Sequence, residues 1–233
     1  MSALLDKIRS RGYWRVTIRP KSFIEKRIQN ISALYPIVQK ASVELRGWDF
    51  PHIDQRTNTH IDIDWIKQES EWQQFLELWH FYQSGQFVDI AGMPEDWYDQ
   101  STLWPAPQGW EPGRLLEIGD ALFRFTEIFE FAARLALTEA GDELMYVEVT
   151  VSGLKGRSLW VDIPNRLPFR QNYVASLSEL PYEIELPRSD LVAQPQELAL
   201  KPANELFARF GWQQDANLLR DLQKSLLKRV QGV

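Results

Sequence analysis

The sequence predicts an α+β fold, with antiparallel hairpins forming one or two sheets and helices segregated from them. Three observations carry this. Period-two alternation at 13–19 and again at 61–66 is that of half-buried strands. Two pairs of strand-like runs are joined by short Gly-containing connections suited to hairpins. Helical periodicity over 114–139 and 215–230 predicts a long central helix and a C-terminal helix, without the regular strand–helix–strand succession of a parallel sheet.

Taken in order, residues 2–10 read as a short helix stopped by Gly12. Trp14, Val16 and Ile18 then alternate with Tyr13, Arg15, Thr17 and Arg19 up to Pro20. A helix over 30–40 must carry Pro36 early or kink there. A strand over 42–46 and a bend over 47–51 follow. Residues 76–83 and 86–91 flank Ser84–Gly85 as a hairpin, with Trp79 and Phe81 expected to face Val88 and Ile90. A competing helix over 71–82 places Trp72, Phe75, Leu76 and Trp79 on one side.

Residues 97–113 (WYDQSTLWPAPQGWEPG) are rich in Pro, Gly and Trp and lack periodicity, which makes them a loop and the best candidate boundary. The division is a basic, Trp-rich part, 1–110, and a helix–hairpin–helix part, 111–233, which can also form one compact unit. The long helix is stopped by Gly141. A second hairpin is expected from 144–151 and 157–163, then weaker strands at 173–177 and 182–186. A helix over 189–210 is interrupted at Pro195 and Pro202, and the last helix gathers Leu218, Leu219, Leu222, Leu226 and Val230 in a stripe.

The 233 residues include no cysteine, which excludes disulfides, thiolate metal sites and cysteine nucleophiles. The absence of an 18-residue apolar run or an N-terminal signal pattern predicts a cytoplasmic protein away from membranes. The formal charge is −6, but it is unevenly spread. Residues 1–46 hold ten Lys/Arg against Asp6, Glu25 and Glu44, a balance of +7 that leaves −13 for the rest. Such a basic end either meets an anionic partner or is drawn to the acidic remainder of its own fold. Of the ten tryptophans, eight lie in the first 110 residues, beside all three histidines.

No P-loop, GxGxxG, HExxH, GxSxG or zinc-finger spacing is present, so binding is favoured over catalysis and no cofactor is expected. One constellation keeps an enzymatic alternative open. His52, Asp54, His60, Asp62 and Asp64 are imidazole and carboxylate ligands able to hold a divalent metal ion and activate water, as in a hydrolase or nuclease. Their bland alternative is a solvated strand face and hydrogen-bonded loop histidines. In the long helix, Asp120–Arg124 and Glu130–Arg134 have the i,i+4 order that supports a helix.

Arg11, Tyr13, Arg15, Arg19 and Lys21 form the candidate anion site: cations tracking phosphates along a strand while a base stacks on Tyr13. Nucleic acid or an acidic protein is the expected partner. Phe123 and Phe131 fall within the polar arc of the long helix and mark either a homo-oligomer interface or a helix buried on several sides. The Trp-rich half also allows a third reading, a sensor enclosing a small molecule.

RGYWRVTIRP (11–20), LRGWDFPHID (45–54), FYQSGQFV (81–88), FEFAARLA (129–136) and GLKGR (153–157) resemble segments of an uncharacterised prokaryotic protein family, some of whose members are associated with AlbA-type DNA-binding regulator domains. The resemblance runs through most of the chain. It implies a prokaryotic cytoplasmic protein acting in regulation or defence, and it supplies no catalytic residues.

Overall fold

The alternation at the start of the chain builds an interior strand of the main sheet. Tyr13–Pro20 (β1) turns Trp14, Val16 and Ile18 inward and Arg15 outward. In the computed structural model, which describes residues 2–56, 59–98, 110–161, 169 and 171–230, this strand lies between Phe87–Gly92 (β7) and Leu144–Ser152 (β9). His60–Ile61 (β4), Trp65–Trp72 (β5), Phe75–Tyr82 (β6) and Glu179–Pro187 (β11) complete a seven-stranded sheet. Its order is β11-β9-β1-β7-β6-β5-β4, and every neighbouring pair is antiparallel. Val43–Glu44 (β2) and Asp49–Phe50 (β3) form a small ribbon, and Leu115–Glu117 (β8) pairs in parallel with Ser158–Trp160 (β10).

Ala3–Arg9 (α1), Leu34–Ala41 (α2), Ile118–Ala136 (α3), Arg188–Ala193 (α4), Pro195–Ala208 (α5) and Ala216–Val230 (α6) are the helices among the described residues. Apolar residues surround most of α3, so it is buried on nearly every side. Phe125 meets Trp14 edge-on at 5.2 Å, while Phe131 packs on Phe87 at 4.6 Å and on Phe50 at 5.6 Å. Leu4 and Ile8 of α1 cover Leu76 and Ile90 on the opposite sheet face. Each fully buried Phe or Leu contributes about 1.5–3 kcal/mol.

A buried ion pair ties the sheet to the segments around it. Arg157 and Asp96 are each 1% exposed and meet through both guanidinium ends, Nη1 lying 2.8 Å from Asp96 Oδ1. Asp96 also accepts from the backbone N–H of Gly12 at 2.8 Å and of Gly113 at 2.7 Å. Arg157 donates to the carbonyls of Gly153 and Leu115, both at 2.7 Å. A Cβ on Gly12 would lie 2.6 Å from Met93 Sδ and closer still to this guanidinium, so the approach depends on glycine.

The α+β architecture, the long helix and the C-terminal helix match the sequence expectation. Two strand pairings differ from the expectation, and three alternatives left open by the sequence are resolved. Residues 71–82 are strand and turn, without a helix. The first hairpin pairs Trp79 with Asp89 and Phe81 with Phe87, so Val88 and Ile90 lie on the other face. Among the described residues the second expected hairpin does not form: β9 pairs with β1 and β11, whereas 158–160 leaves to pair with β8, and 162–163 lie outside the described residues. Phe123 and Phe131 are core residues, 8% and 0% exposed, because α3 is covered by the sheet and by its own chain's helices. The expected break near residue 110 is bridged by the sheet, which joins strands from both sides of it.

Candidate functional site

A cleft of about 410 Å³ opens between the β5–β6 turn, the bend before β3 and the start of α3. One wall is aromatic. Trp48, Trp72 and Phe75 are near-parallel, with mutual tilts of 7–14° and centroids 4.5–6.4 Å apart. His52 stacks on Trp48 at 3.7 Å. The wall is held from behind: the indole Nε1 of Trp48 is 3.4 Å from Glu77 Oε2, and Glu77 Oε1 accepts from the His52 N–H at 3.0 Å. Trp72 remains 36% exposed. Gln74, in the turn between the Trp72 and Phe75 rings, also lines the cleft.

The facing wall is charged. Glu117 caps α3, accepting from Gly119 N at 3.2 Å and Asp120 N at 2.7 Å. Glu117's own N–H donates to Glu95 Oε1 at 2.8 Å. Burial, reinforced by repulsion from Asp120, pushes the Glu117 carboxyl up to about 8 and that of Glu95 up to about 7. Arg46 reaches across from the bend. It pairs with Asp120 through Nη1 and with Glu127 through Nε at 2.9 Å, and it lies over Phe123, 5.2 Å from the ring centroid. Burial opposes its charge, but Glu127 and Asp120 outweigh that and raise its pKa. The cleft therefore joins a stacking surface to fixed acceptors, and the one cation lining it among the described residues is already engaged.

Arg46 also corrects the expected helix pairs. Asp120 bonds to Arg46 instead of Arg124. Arg124 is buried, its guanidinium over Phe50 and close enough to Glu77 and Asp89 to favour their charged forms. Burial nevertheless dominates and pushes both carboxyls up, Asp89 well above its ordinary value. Glu130 accepts from Gln196 at 2.9 Å, and Arg134 donates to the Ser42 carbonyl.

The five candidate metal ligands do not come together. His52 turns inward, its Nδ1 on Asp49 and its ring on Trp48. Burial disfavours its cation, but the Asp49 hydrogen bond and charge raise its pKa. Asp54 accepts from Arg56 N at 2.8 Å and Nε at 3.1 Å. His60 lies at the sheet edge against Trp65, and Asp62 accepts from Ile63 N at 2.8 Å. Asp62 and Asp64 occupy the exposed turn between β4 and β5, so the strand alternation meant to align them is missing. Among the described residues no three His, Asp or Glu side chains gather as a metal set.

The cationic strand face is engaged by its own fold. Arg15 pairs with Glu148 at 2.8 Å, Lys21 pairs with Glu185, and Arg19 lies over Tyr146 at 4.3 Å. Glu148 and Glu183 stand directly opposite each other in the ladder. Arg15 relieves the first, and the Tyr146 hydroxyl donates to the second. Arg11 reaches the Asp96 carbonyl and stacks over Trp97 at 4.1 Å. Tyr13, half-buried, packs against the α1 cluster.

The Trp-rich composition pointed to this region, but not to Gln74 or Glu117, which carry no motif, and Asp120 stands out in the sequence only as half of a helix pair. Among the described residues no helix is long and apolar enough to cross a membrane. Comparison with protein-family models, curated proteins and solved structures finds no match for this chain.

Proposed function

We propose that this protein is a small-molecule-binding module, a sensor whose ligand sits in the cleft between the Trp48–Trp72–Phe75 wall and the start of α3. The observation that carries the reading is the wall itself: three near-parallel rings, one of them 36% exposed, line a cavity of ligand size together with the Glu117-capped start of α3. Pockets of this volume with an apolar body and a few convergent polar groups are the usual form of small-molecule sites. Aromatic walls contribute both buried area and ring-stacking energy. Fixed hydrogen bonds at Arg46, Glu117 and Trp48 prearrange the groups, which lowers the ordering cost of binding.

A thermal-shift screen of heteroaromatic compounds tests the proposal. A ligand present at a hundred times its Kd adds about 2.7 kcal/mol, which for a chain of this length corresponds to a rise of about 5–10 °C in Tm. Trp72→Ala should greatly reduce that rise, each shift being measured against the variant's own unliganded Tm. Shifts identical in the variant would place binding elsewhere and reject the cleft.

A further inference from the structure

Gln74 is 3% exposed, lines the cleft, and its Oε1 has no hydrogen-bond partner. Burying an amide oxygen unpaired is costly to a fold; this oxygen is itself buried as the side chain stands, so a group supplied from the cleft pairs with it once the amide turns. The chain holds it there through the β5–β6 turn, where Gln73 takes a positive φ of 52°. The flanking Trp72 and Phe75 rings lie 6.4 Å apart with a tilt of 7°. A carboxamide offers a donor and an acceptor side by side, and a half-turn about its last bond exchanges them. Those paired groups match the edge of a nucleobase, as in the two-bond recognition of adenine by glutamine.

The opposite wall narrows the choice further. Arg46 is consumed by Asp120 and Glu127, and both Glu117 oxygens accept from N–H groups at the start of α3, so pairing with a ligand edge falls to Gln74. A phosphate entering this cleft would meet the Asp120 carboxylate and, among the described lining residues, no free cation. We infer that the cleft takes a neutral or protonated amino-substituted planar heterocycle, a nucleobase or nucleoside without phosphate, stacked on the Trp72–Phe75 wall with its edge paired to Gln74. This deepens the small-molecule reading and rests on it.

Calorimetric titration of the full chain tests it with matched probes. Adenosine is compared with purine riboside, and cytidine with pyrimidin-2-one riboside; the second member of each pair lacks only the amino group. At least one amino-bearing probe should bind about tenfold or more tightly than its partner, since a site built to pair a polar group rejects the analogue lacking it. The phosphorylated form of that nucleoside should bind more weakly. Gln74→Met, close in shape, should erase the amino preference, whereas Trp72→Ala should weaken both members of the pair. Equal affinities within both pairs, tighter binding of the phosphorylated form, or an amino preference that survives Gln74→Met would overturn the inference. Any of these with Trp72-dependent ring binding would leave the broader small-molecule reading standing. If neither these nucleosides nor indole binds in a Trp72-dependent way, both fail.

Discussion

Replacing Arg157 with Met tests how far the buried ion pair governs stability. Both side chains are 1% exposed, and Arg157 reaches Asp96, Leu115 and Gly153 at once. Met fills most of the stem's volume but supplies no donor. Asp96 keeps the N–H groups of Gly12 and Gly113 yet becomes an uncompensated buried charge, and the Leu115 and Gly153 carbonyls lose their guanidinium bonds. Breaking a buried pair from one side costs about 3–5 kcal/mol, a large share of the roughly 5–15 kcal/mol that holds a domain together. With a urea slope near 3 kcal/mol per M, the midpoint should fall by about 1–2 M. Urea unfolding followed by tryptophan fluorescence measures this. Adding Asp96→Asn should recover part of the loss by discharging the stranded carboxylate. A single-variant change below about 0.3 M, equivalent to less than about 1 kcal/mol, would refute the assignment of a stabilising clamp.

Three further outcomes are expected. Glu117 and Glu95, raised by burial and by Asp120 to about 8 and about 7, keep protons that the unfolded chain releases. Their stabilisation is complete below the ordinary carboxyl value of 4.5 and is lost as pH rises through 7 to 8. Urea midpoints at about pH 5.5 and about pH 8.5 should therefore differ less in Glu117→Gln than in the parent. Phe131→Ala should cost about 3–5 kcal/mol without changing the native mass; a mass change at unaltered stability would restore the interface reading. Single- or double-stranded DNA or RNA at low salt should give no anisotropy change dependent on Arg15 and Arg19. A binding signal that falls steeply with salt and disappears in Arg15→Ala/Arg19→Ala would reinstate the cationic strand as a nucleic-acid surface.

What the sequence disclosed and what it hid follow from the range of the interactions. Trp14, Val16 and Ile18 alternate within one strand, and Leu219, Leu222 and Leu226 recur within one helix, so local periodicity finds both. The β6–β7 hairpin was legible, but its register slipped because polarity misleads there. Asp89 occupies an inward position, while Ile90 is buried on the other face under α1. The parallel pairing of β8 with β10 joins residues 43 positions apart (115 with 158) and has no local signature. The candidate site was half visible. Trp48 and Trp72 stood out by composition, but Arg46 meets Asp120 across 74 positions, and only the folded chain puts Gln74 on the same cavity. The i,i+4 reading of Asp120 with Arg124 failed because a longer-range partner occupied the carboxylate.

The position of β1 has a consequence for how the molecule is made. Its first neighbour, β7, leaves the ribosome long before its second, β9. Until residues 144–152 are synthesised, one side of β1 has hydrogen-bonding groups with no native strand to receive them, an invitation to pair with another chain. A fragment cut after residue 110 would carry that open flank permanently, together with Trp14, Val16 and Ile18 stripped of α3. Such a fragment should clump where the intact polypeptide stays dispersed, and co-expressing the missing half should rescue it by supplying β9.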